Sequence, residues 1–309
     1  MNMKTPTEGL QAEIFTEYLT IKGYSPKTRN SIVNTVKRFS LWCDAEEIEL
    51  ENISYNDILA YMSLCNKQGN KQITIACTVN CIKHYYDYLI SEKAIIENPC
   101  SNVDIQGIKR RTLYNTFAPE ELDAIYKAFI SSAPPNGICS HLTHKRNKVI
   151  AGLLIYQGLR TEEIANLKTA DVNMREGRIF IAGGRRTNER ELPFEAHQVF
   201  DVIDYINETR KILLMVTNKN TDALFISIGS GDKVNNAINK MLENLKKQHP
   251  KIKDAKHLRT SVITNWLKQH NIRKVQQLAG HRYVSSTEAY QVNNMDELKE
   301  DINRFHPDL

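Results

Sequence analysis

The stretch LAGHRYVSSTEAYQ, residues 278–291, places a Gly-His pair nine positions before a tyrosine, with a short Ser/Thr-rich segment between them. A histidine titrates near neutrality and a tyrosine hydroxyl can be a nucleophile, so His281 and Tyr290 together suit chemistry on a phosphate. The other interpretation is coincidence, because a chain with 13 tyrosines and 9 histidines brings some pair together. The rest of the sequence has to decide between the two.

Two further segments place cationic side chains at the ends of expected helices. In YQGLRTEEIANLKTADV, Arg160 comes just after a glycine that ends an apolar helix. In AKHLRTSVITNWL, the residues Lys256, His257 and Arg259 begin another helix. Guanidinium groups bind phosphate oxygens through paired hydrogen bonds. Neither segment is specific alone, and their meaning depends on their occurring together.

The composition is that of a soluble globular protein long enough for two domains. The 309 residues are 41% hydrophobic and 25% charged, and no apolar run approaches the roughly 20 residues of a membrane helix. The N-terminus lacks the apolar region of a secretory signal, and the six cysteines form no zinc-binding pattern. We therefore expect a cytoplasmic protein with reduced thiols, no metal and no cofactor. Of the net charge of +5, residues 1–113 contribute 0, residues 114–290 contribute +8 and residues 291–309 contribute −3, and the basic region suits a polyanionic partner.

The first third of the chain is predicted to be helical throughout. Ser25 is the expected N-cap of a helix with Pro26 at its first position. The apolar stripe of that helix is Ile32, Val33, Val36, Phe39 and Leu41. Further helices are expected at about 10–21, from about 54, and at about 71–91. These four helices predict a compact bundle over residues 1–110.

A linker rich in Pro, Gly, Asn and basic residues separates this bundle from a second domain. We place the linker at residues 111–118 and the second domain at 119–309. The segment GRIFIAGGRRTNERELPF is the one clear β signal, a hairpin with a polar turn. The remaining expected helices lie at about 119–131, 140–158, 195–216, 232–247, 257–270, 272–279 and 284–290.

In order, spacing and context, these segments resemble the tyrosine recombinase, or phage integrase, family, which includes the Xer-type recombinases. GLRTEEIANLKTADV resembles its first catalytic box, KHLRTS its second and LAGHRYVSSTEAY its third. GYSPKTRNSIVNTVKRF and IKHYYDYLISEKAIIENP resemble its N-terminal core-binding domain. The resemblance covers nearly the whole chain. It implies a mainly α fold with a small β-hairpin or sheet, in which a helical-bundle DNA-binding domain precedes a catalytic domain.

The resemblance also implies roles for the site residues. Arg160 and Arg259 would hold the scissile phosphate, and Tyr290 would attack it. His281 would donate to the phosphate or assist the tyrosine as acid or base. A phosphotyrosine stores the energy of the broken bond, so rejoining needs neither ATP nor a metal. Glu163, one turn beyond Arg160, is expected to orient Arg160 or cap the helix rather than act as a base.

Two positions depart from the family pattern. Lys256 stands where the second box usually has histidine, as in the mechanistically related type IB topoisomerases; alternatively, the adjacent His257 takes that role. The catalytic lysine usual in the hairpin is missing, and Arg185 occupies the aligned position. Arginine is a poor general acid but a good charge clamp. Three interpretations follow: Arg185 or Arg186 substitutes electrostatically, Lys256 reaches in, or the enzyme is slow or inactive.

Other basic residues are candidates for DNA contacts. In the N-terminal domain these are Lys27, Arg29, Lys71 and Lys83, although charged helix faces are most often simply solvated. The linker triplet Lys109, Arg110 and Arg111 is favoured more strongly, because a chain that joins two halves of a clamp has to cross the duplex. Arg186 at the hairpin is a further candidate.

The partner that the resemblance implies is double-stranded DNA with inverted-repeat core sites, bound by a homotetramer that exchanges strands in pairs. Integration, excision or inversion of a DNA segment is the first expectation, and Xer-type chromosome dimer resolution is the second. Two alternatives come from the departures. The missing hairpin lysine suggests a DNA-binding protein with impaired catalysis, and Lys256 suggests a monomeric type IB-like topoisomerase.

The tail NNMDELKEDINRFHPDL carries an apolar stripe at helical spacing, which predicts a helix over residues 294–306. The stripe consists of Met295, Leu298, Ile302 and Phe305. So short a helix is marginal alone and has to bury its stripe against protein. The resemblance favours docking into a neighbouring subunit, so that tail exchange holds the tetramer together. Packing on its own domain is the alternative.

Overall fold

The computed structural model describes residues 12–108, 114–131, 137–229, 231 and 234–291. The chain divides into two compact units, residues 1–112 and 113–309. The linker triplet Lys109, Arg110 and Arg111 and the tail segment 294–306 lie outside the described residues. No helix among the described residues combines the length and apolar character that crossing a bilayer requires.

Four α-helices form most of the described part of the first unit. Its helices are α1 (Ala12–Ile21), α2 (Pro26–Ala45), α3 (Tyr55–Lys67) and α4 (Gln72–Ser91). The Ser25 side chain accepts a hydrogen bond from the Thr28 amide, so Ser25 is the N-cap of α2 and Pro26 begins the helix, as the sequence predicts. Helix α4 packs against α1, α2 and α3. The helix faces that meet there bury an aromatic core that includes Phe15, Phe39, Tyr85 and Tyr86.

The apolar stripe predicted for α2 is largely confirmed. Ile32, Val33, Val36 and Phe39 are buried, whereas Leu41 is 53% exposed. Leu41 lies two residues beyond Phe39, about 200° around the helix, so it points away from the face that α4 covers. The prediction that Leu41 belongs to the core was wrong.

The part of the second unit that the structure describes contains eight labelled helices, one of which lies at the centre. They are α5 (Pro119–Ser131), α6 (Ile138–Ile155), α7 (Thr161–Asn166), α8 (Ala196–Asp204), α9 (Arg210–Thr217), α10 (Asn235–Gln248), α11 (Ala255–Gln269) and α12 (Ile272–Ala279). A π-helical segment, Tyr205–Thr209, joins α8 to α9, and residues 285–291 are also helical. Helix α6 packs against α5, α8, α10 and α11 and is buried along its last turns.

The β structure is a three-stranded antiparallel sheet rather than the expected hairpin alone. Its strands, in order, are β1 (Val172–Asn173), β2 (Arg178–Ile181) and β3 (Arg190–Pro193). Ile179 pairs with both Val172 and Leu192, and Ile181 pairs with Arg190. The two residues of β1 are too few to produce a period-2 signal, which explains why the sequence did not reveal this strand.

Candidate active site

Arg160 is held where α6 gives way to α7. Gly158, two residues earlier, has a φ of +57°, and an added Cβ would lie 3.1 Å from Val262 on α11, so the turn needs glycine there. The Arg160 amide donates to Glu163 Oε2 at 2.9 Å, and Arg160 Nη1 donates to Glu163 Oε1 at 2.8 Å. Glu163 therefore caps α7 and orients Arg160, as predicted. The Arg160 side chain is 35% exposed and is able to meet a ligand.

Arg259 lies on α11 and is almost completely buried. Its Nη1 donates to the Gly158 carbonyl at 2.6 Å, and its Nη2 donates to the Ala279 carbonyl at 2.7 Å. Burial, and then the charge of Arg160, lowers the pKa of Arg259 to about 10, so it keeps its charge at neutral pH. Arg259 thus ties the end of α6 to the end of α12.

Glu163 is the centre of a group of three guanidinium groups. Arg190 Nη1 donates to Oε1 at 3.1 Å and Arg190 Nη2 donates to Oε2 at 2.9 Å, while Arg259 Nη1 lies 3.8 Å from Oε2. Burial alone would raise the pKa of Glu163, but the hydrogen bonds and charge of Arg190 and the charge of Arg259 outweigh it and hold the pKa at about 2. The carboxylate is therefore ionised at neutral pH.

His281 is buried beside Arg259. Its Nε2 lies 3.3 Å from Arg259 Nη2, and its Nδ1 lies 2.9 Å from Thr287 Oγ1. A guanidinium can only donate, so Nε2 accepts and Nδ1 carries the proton that goes to Thr287. Burial, followed by the charges of Arg259, Arg160 and Arg190, lowers the pKa of His281 to about 4. The imidazole is therefore neutral at physiological pH.

Tyr290 lies in the 285–291 helix and stacks on His281. The two ring centroids are 5.7 Å apart and the ring planes differ by 17°. The Tyr290 side chain also packs against the small cluster of Ile263, Val275 and Ala279. Tyr290 therefore belongs to the same site as His281 of its own chain.

The hairpin between β2 and β3 docks on the turn that carries His281. Arg185 and Arg186 are exposed at its tip, between Gly184 and Thr187. The Asn188 amide donates to the Gly280 carbonyl at 3.1 Å, and Arg282 Nη1 donates to the Arg185 carbonyl at 3.1 Å. These contacts fix the hairpin tip at the edge of the site.

Comparison with known proteins identifies the chain. The phage integrase family matches residues 115–297, more than half of the chain, and the SAM-like N-terminal domain of phage integrases matches residues 12–93. The chain belongs to the phage integrase family. It is a site-specific tyrosine recombinase that acts on DNA. The resemblance seen in the sequence and the expected mainly α fold are both confirmed.

Individual relatives agree with this membership. The recombinase is 26% identical over 311 residues to tyrosine recombinase XerC of Oceanobacillus iheyensis, with 96% of each chain covered. It is 24% identical over 303 residues to tyrosine recombinase XerC of Bacillus subtilis, covering 96% of this chain and 95% of that one. Its fold is similar to the XerH site-specific recombinase in a post-cleavage complex with a palindromic difH substrate. That similarity has a TM-score of 0.69 at 18% identity, with 96% of this chain and 84% of the other covered.

The two alternatives for the second box of the recombinase occupy different places. Lys256 is exposed on the first turn of α11, one turn before Arg259. His257 is buried, and its ring stacks between Tyr114 and Phe117. His257 Nδ1 accepts from the Lys253 amide at 3.3 Å, and Nε2 lies 2.7 Å from the Asn115 carbonyl, which occupies both nitrogens. His257 therefore anchors the start of the second unit, and Lys256 is the residue free to reach a ligand.

The candidate DNA contacts of the first unit lie on the surface of that unit. Lys27 and Lys71 are exposed near the starts of α2 and α4, and Lys83 is half-buried on α4. Arg29 is also half-buried, and its Nη1 donates to Thr20 Oγ1. Their role as DNA contacts stays a prediction.

Sequence reasoning did not select two residues of the recombinase site, Arg190 and Thr287. Both are buried and polar, and both contact residues that the sequence did select. Arg190 had a signal: along β3 it alternates with buried Leu192, on the sheet face that carries the core, where an arginine is unusual. Thr287 belongs to the Ser/Thr-rich segment and had no separate signal.

Replacing His281 with glutamine should make the recombinase less sensitive to acid. The pKa of His281 is about 4 in the folded chain and 6.5 in its ordinary state. Between these values the unfolded chain binds a proton that the folded chain does not, so stability is lost as the pH falls through this window. In the wild-type protein, the titration of His281 should lower the free energy of unfolding by about 2 kcal/mol as the pH falls from 7.5 to 5.

Urea unfolding at the two pH values measures this loss. His281→Gln should lose about 2 kcal/mol less than wild type over that interval. The matched control is His270→Gln at the exposed end of α11, which should follow wild type. Equal losses for His281→Gln and wild type would contradict the lowered pKa.

Proposed function

We propose that this recombinase cleaves and rejoins DNA strands through a 3′-phosphotyrosine intermediate formed by Tyr290. The observation that carries the proposal is the convergence of four residues from three separate segments: Arg160, Arg259, His281 and Tyr290. Arg259 hydrogen-bonds to His281, His281 stacks on Tyr290, and Glu163 joins Arg160 to the group. The result is a cationic site next to a phenol.

In the proposed reaction the Tyr290 oxygen attacks the phosphorus of the scissile phosphate, and the bond to the 5′ oxygen breaks. Arg160 and Arg259 offset the charge that develops on the non-bridging oxygens. His281, neutral at working pH with its Nε2 unprotonated, is suited to accept the phenol proton. Lys256 protonates the 5′ oxygen as it leaves, and attack by a new 5′ hydroxyl on the phosphotyrosine reverses each step. The balance needs no oxidant, metal or nucleotide.

The experiment that tests this proposal uses a nicked duplex in which cleavage releases a short fragment, so that rejoining is prevented. A covalent protein–DNA adduct, mapped by mass spectrometry to the peptide that carries Tyr290, supports the proposal. Binding without any adduct would favour the rival interpretation, a DNA-binding protein with impaired catalysis. Relaxation of supercoiled DNA that lacks a specific site would favour the topoisomerase.

The hairpin provides a second prediction, because it holds arginine where the family usually has a catalytic lysine. Arg185 lies at the hairpin tip that docks on the His281 turn. If Arg185 is a charge clamp, Arg185→Ala should slow cleavage by roughly 10²–10³, the range for loss of one transition-state donor. The parallel Arg186→Ala variant establishes which tip arginine matters.

A substrate with a 5′-thio leaving group distinguishes a residue that acts as a charge clamp from one that acts as the general acid. Such a group departs with little protonation, so it should rescue a variant that lacks the acid and not one that lacks a clamp. We expect good rescue of Lys256→Ala and poor rescue of Arg185→Ala. The reverse pattern would assign protonation to Arg185 and overturn the proposed roles.

For the assembly, we propose a homotetramer on inverted-repeat core sites, linked by exchange of the C-terminal tails. A solved structure of lambda integrase shows a dimer on a core site, and its fold is similar to this chain with a TM-score of 0.64. A groove of about 340 Å³ in the second unit supports tail docking. Its apolar lining includes Tyr156, Leu192, Trp266 and Leu278. Cations at its rim, among them Arg178 and Lys274, suit an acidic tail, although two glutamates lie there as well.

The proposed biological role is integration, excision or inversion of a DNA segment in the cytoplasm. The relatives named XerC support the second candidate, Xer-type resolution of chromosome dimers. A single test decides between them. Sequencing the DNA recovered with the covalent adduct identifies the site, which is either a unique chromosomal locus or the end of a mobile segment.

A further inference from the structure

Arg190 occupies a place between the three segments that carry the candidate catalytic residues. It begins β3, and its side chain is 2% exposed. Both of its Nη atoms donate to Glu163, which in turn holds Arg160. Its stem and guanidinium lie against Gly280, where an added Cβ would overlap the guanidinium and come within 3.0 Å of Arg190 Cδ. Arg190 therefore contacts the Glu163 turn and the turn that carries His281 at the same time.

Glu163 creates an electrostatic problem for a site that binds phosphate. Its carboxylate orients Arg160, but it is ionised, only 10% exposed and close to both arginines that would act on the phosphate. A buried negative charge at that position repels the scissile phosphate and the additional charge of the transition state. Without a compensating positive charge nearby, the Glu163 carboxylate would offset the charge of one of the two arginines, Arg160 and Arg259.

We propose that Arg190 is a positioning residue that neutralises Glu163, so that Arg160 and Arg259 act on the phosphate with their full charge. The inference rests on the proposed function of this site. The bidentate pair between Arg190 and Glu163 holds the carboxylate in one orientation, and that orientation fixes Arg160. Both Nη atoms of Arg190 donate to Glu163, so we place Arg190 behind the carboxylate rather than on the phosphate. Its effect reaches the phosphate through Glu163.

Substitution of Arg190 by methionine removes the charge and keeps an unbranched stem, although the methionine side chain ends at about the level of the arginine Nε. Cleavage by Arg190→Met, measured at subsaturating protein, should be roughly 10- to 100-fold slower than by wild type, the range of couplings between contacting charged residues. Arg175→Met is the matched control: it removes an exposed arginine from the turn between β1 and β2 and should cleave like wild type.

A substrate with a neutral methylphosphonate at the cleavage position separates electrostatic from structural effects. Its transition state carries one negative charge fewer than that of the phosphodiester. The slowing by Arg190→Met should therefore fall to about the square root of its value on the diester, roughly 3- to 10-fold. A purely structural role predicts equal slowing on both substrates, and equal slowing would overturn the proposal.

The double variant Glu163→Gln with Arg190→Met keeps the proposal testable if Arg190→Met folds poorly. It buries no uncompensated carboxylate, so it should be more stable and should cleave faster than Arg190→Met alone. A double variant that cleaves no faster than Arg190→Met would contradict the neutralising role. Wild-type protein run in parallel separates the two failures. Absence of any wild-type adduct at Tyr290 refutes the proposed function, whereas a wild-type adduct with an unimpaired Arg190→Met variant refutes this inference alone.

Discussion

Tyr290→Phe forms no covalent adduct with DNA: this is the largest effect we expect. The variant loses one hydroxyl and keeps the ring that stacks on His281 and packs against Ile263 and Val275. Its free energy of unfolding should therefore change by less than about 1 kcal/mol, and DNA binding should remain nearly intact. Loss of the nucleophile itself should lower the cleavage rate by on the order of 10⁴ or more. The measurement is the yield of adduct on the nicked duplex.

The matched control for this prediction is Tyr283→Phe, which alters an exposed tyrosine seven residues earlier. It should form the adduct at the wild-type rate. An undiminished adduct from Tyr290→Phe would exclude Tyr290 as the nucleophile. Peptide mapping would then show whether Tyr114, whose hydroxyl donates to Asp254 at 3.3 Å, takes its place.

Deletion of residues 294–309 should leave a folded protein that binds one half-site and has lost recombination completely. The site residues Arg160, Arg259, His281 and Tyr290 all precede the deletion, so a single subunit keeps its chemistry. The tail has an apolar stripe and a negative net charge, and both suit docking into the groove beside Trp266 and Lys274. If that groove belongs to a neighbouring subunit, the second half-site should no longer fill cooperatively. Gel-shift titration on one-site and two-site duplexes measures this loss.

A charge reversal tests the same contact with the tail present. Lys274→Glu places a negative charge at the rim of the groove and should reduce cooperativity in the full-length chain. Arg273→Glu, the same change on the neighbouring exposed residue of α12, is the control and should bind cooperatively. A truncated protein that still fills two half-sites cooperatively would show that the tail packs on its own subunit.

The resemblance of three short segments to family motifs explains why four site residues could be selected from the sequence. Arg160 and His281 each come shortly after a glycine that ends a helix, and Arg259 lies one turn into another helix. Tyr290 lies at a set distance from His281. Each of these patterns involves only a few neighbouring residues, so it can be recognised in the sequence without the tertiary structure.

Arg190 shows what could not be predicted in this way. Its partner Glu163 is 27 residues earlier in the chain, on an unrelated element. The hairpin sequence holds three other arginines, Arg178, Arg185 and Arg186, and nothing local identifies Glu163 as the partner of Arg190. Only the register of the sheet, which pairs Arg190 with Ile181, turns its side chain into the core. The same kind of long-range information gave His257 its structural role, because the Asn115 carbonyl that it contacts is 142 residues away.

The bonds of Arg259 to the carbonyls of Gly158 and Ala279, 101 and 20 residues away, have a consequence for protein synthesis. Contacts between residues so far apart form late in folding, because the entropy of closing the loop has to be overcome first. A growing chain carries Arg160 and the hairpin long before it carries His281 and Tyr290. On the proposed mechanism, a nascent or prematurely ended chain that meets the chromosome has no nucleophile with which to break it.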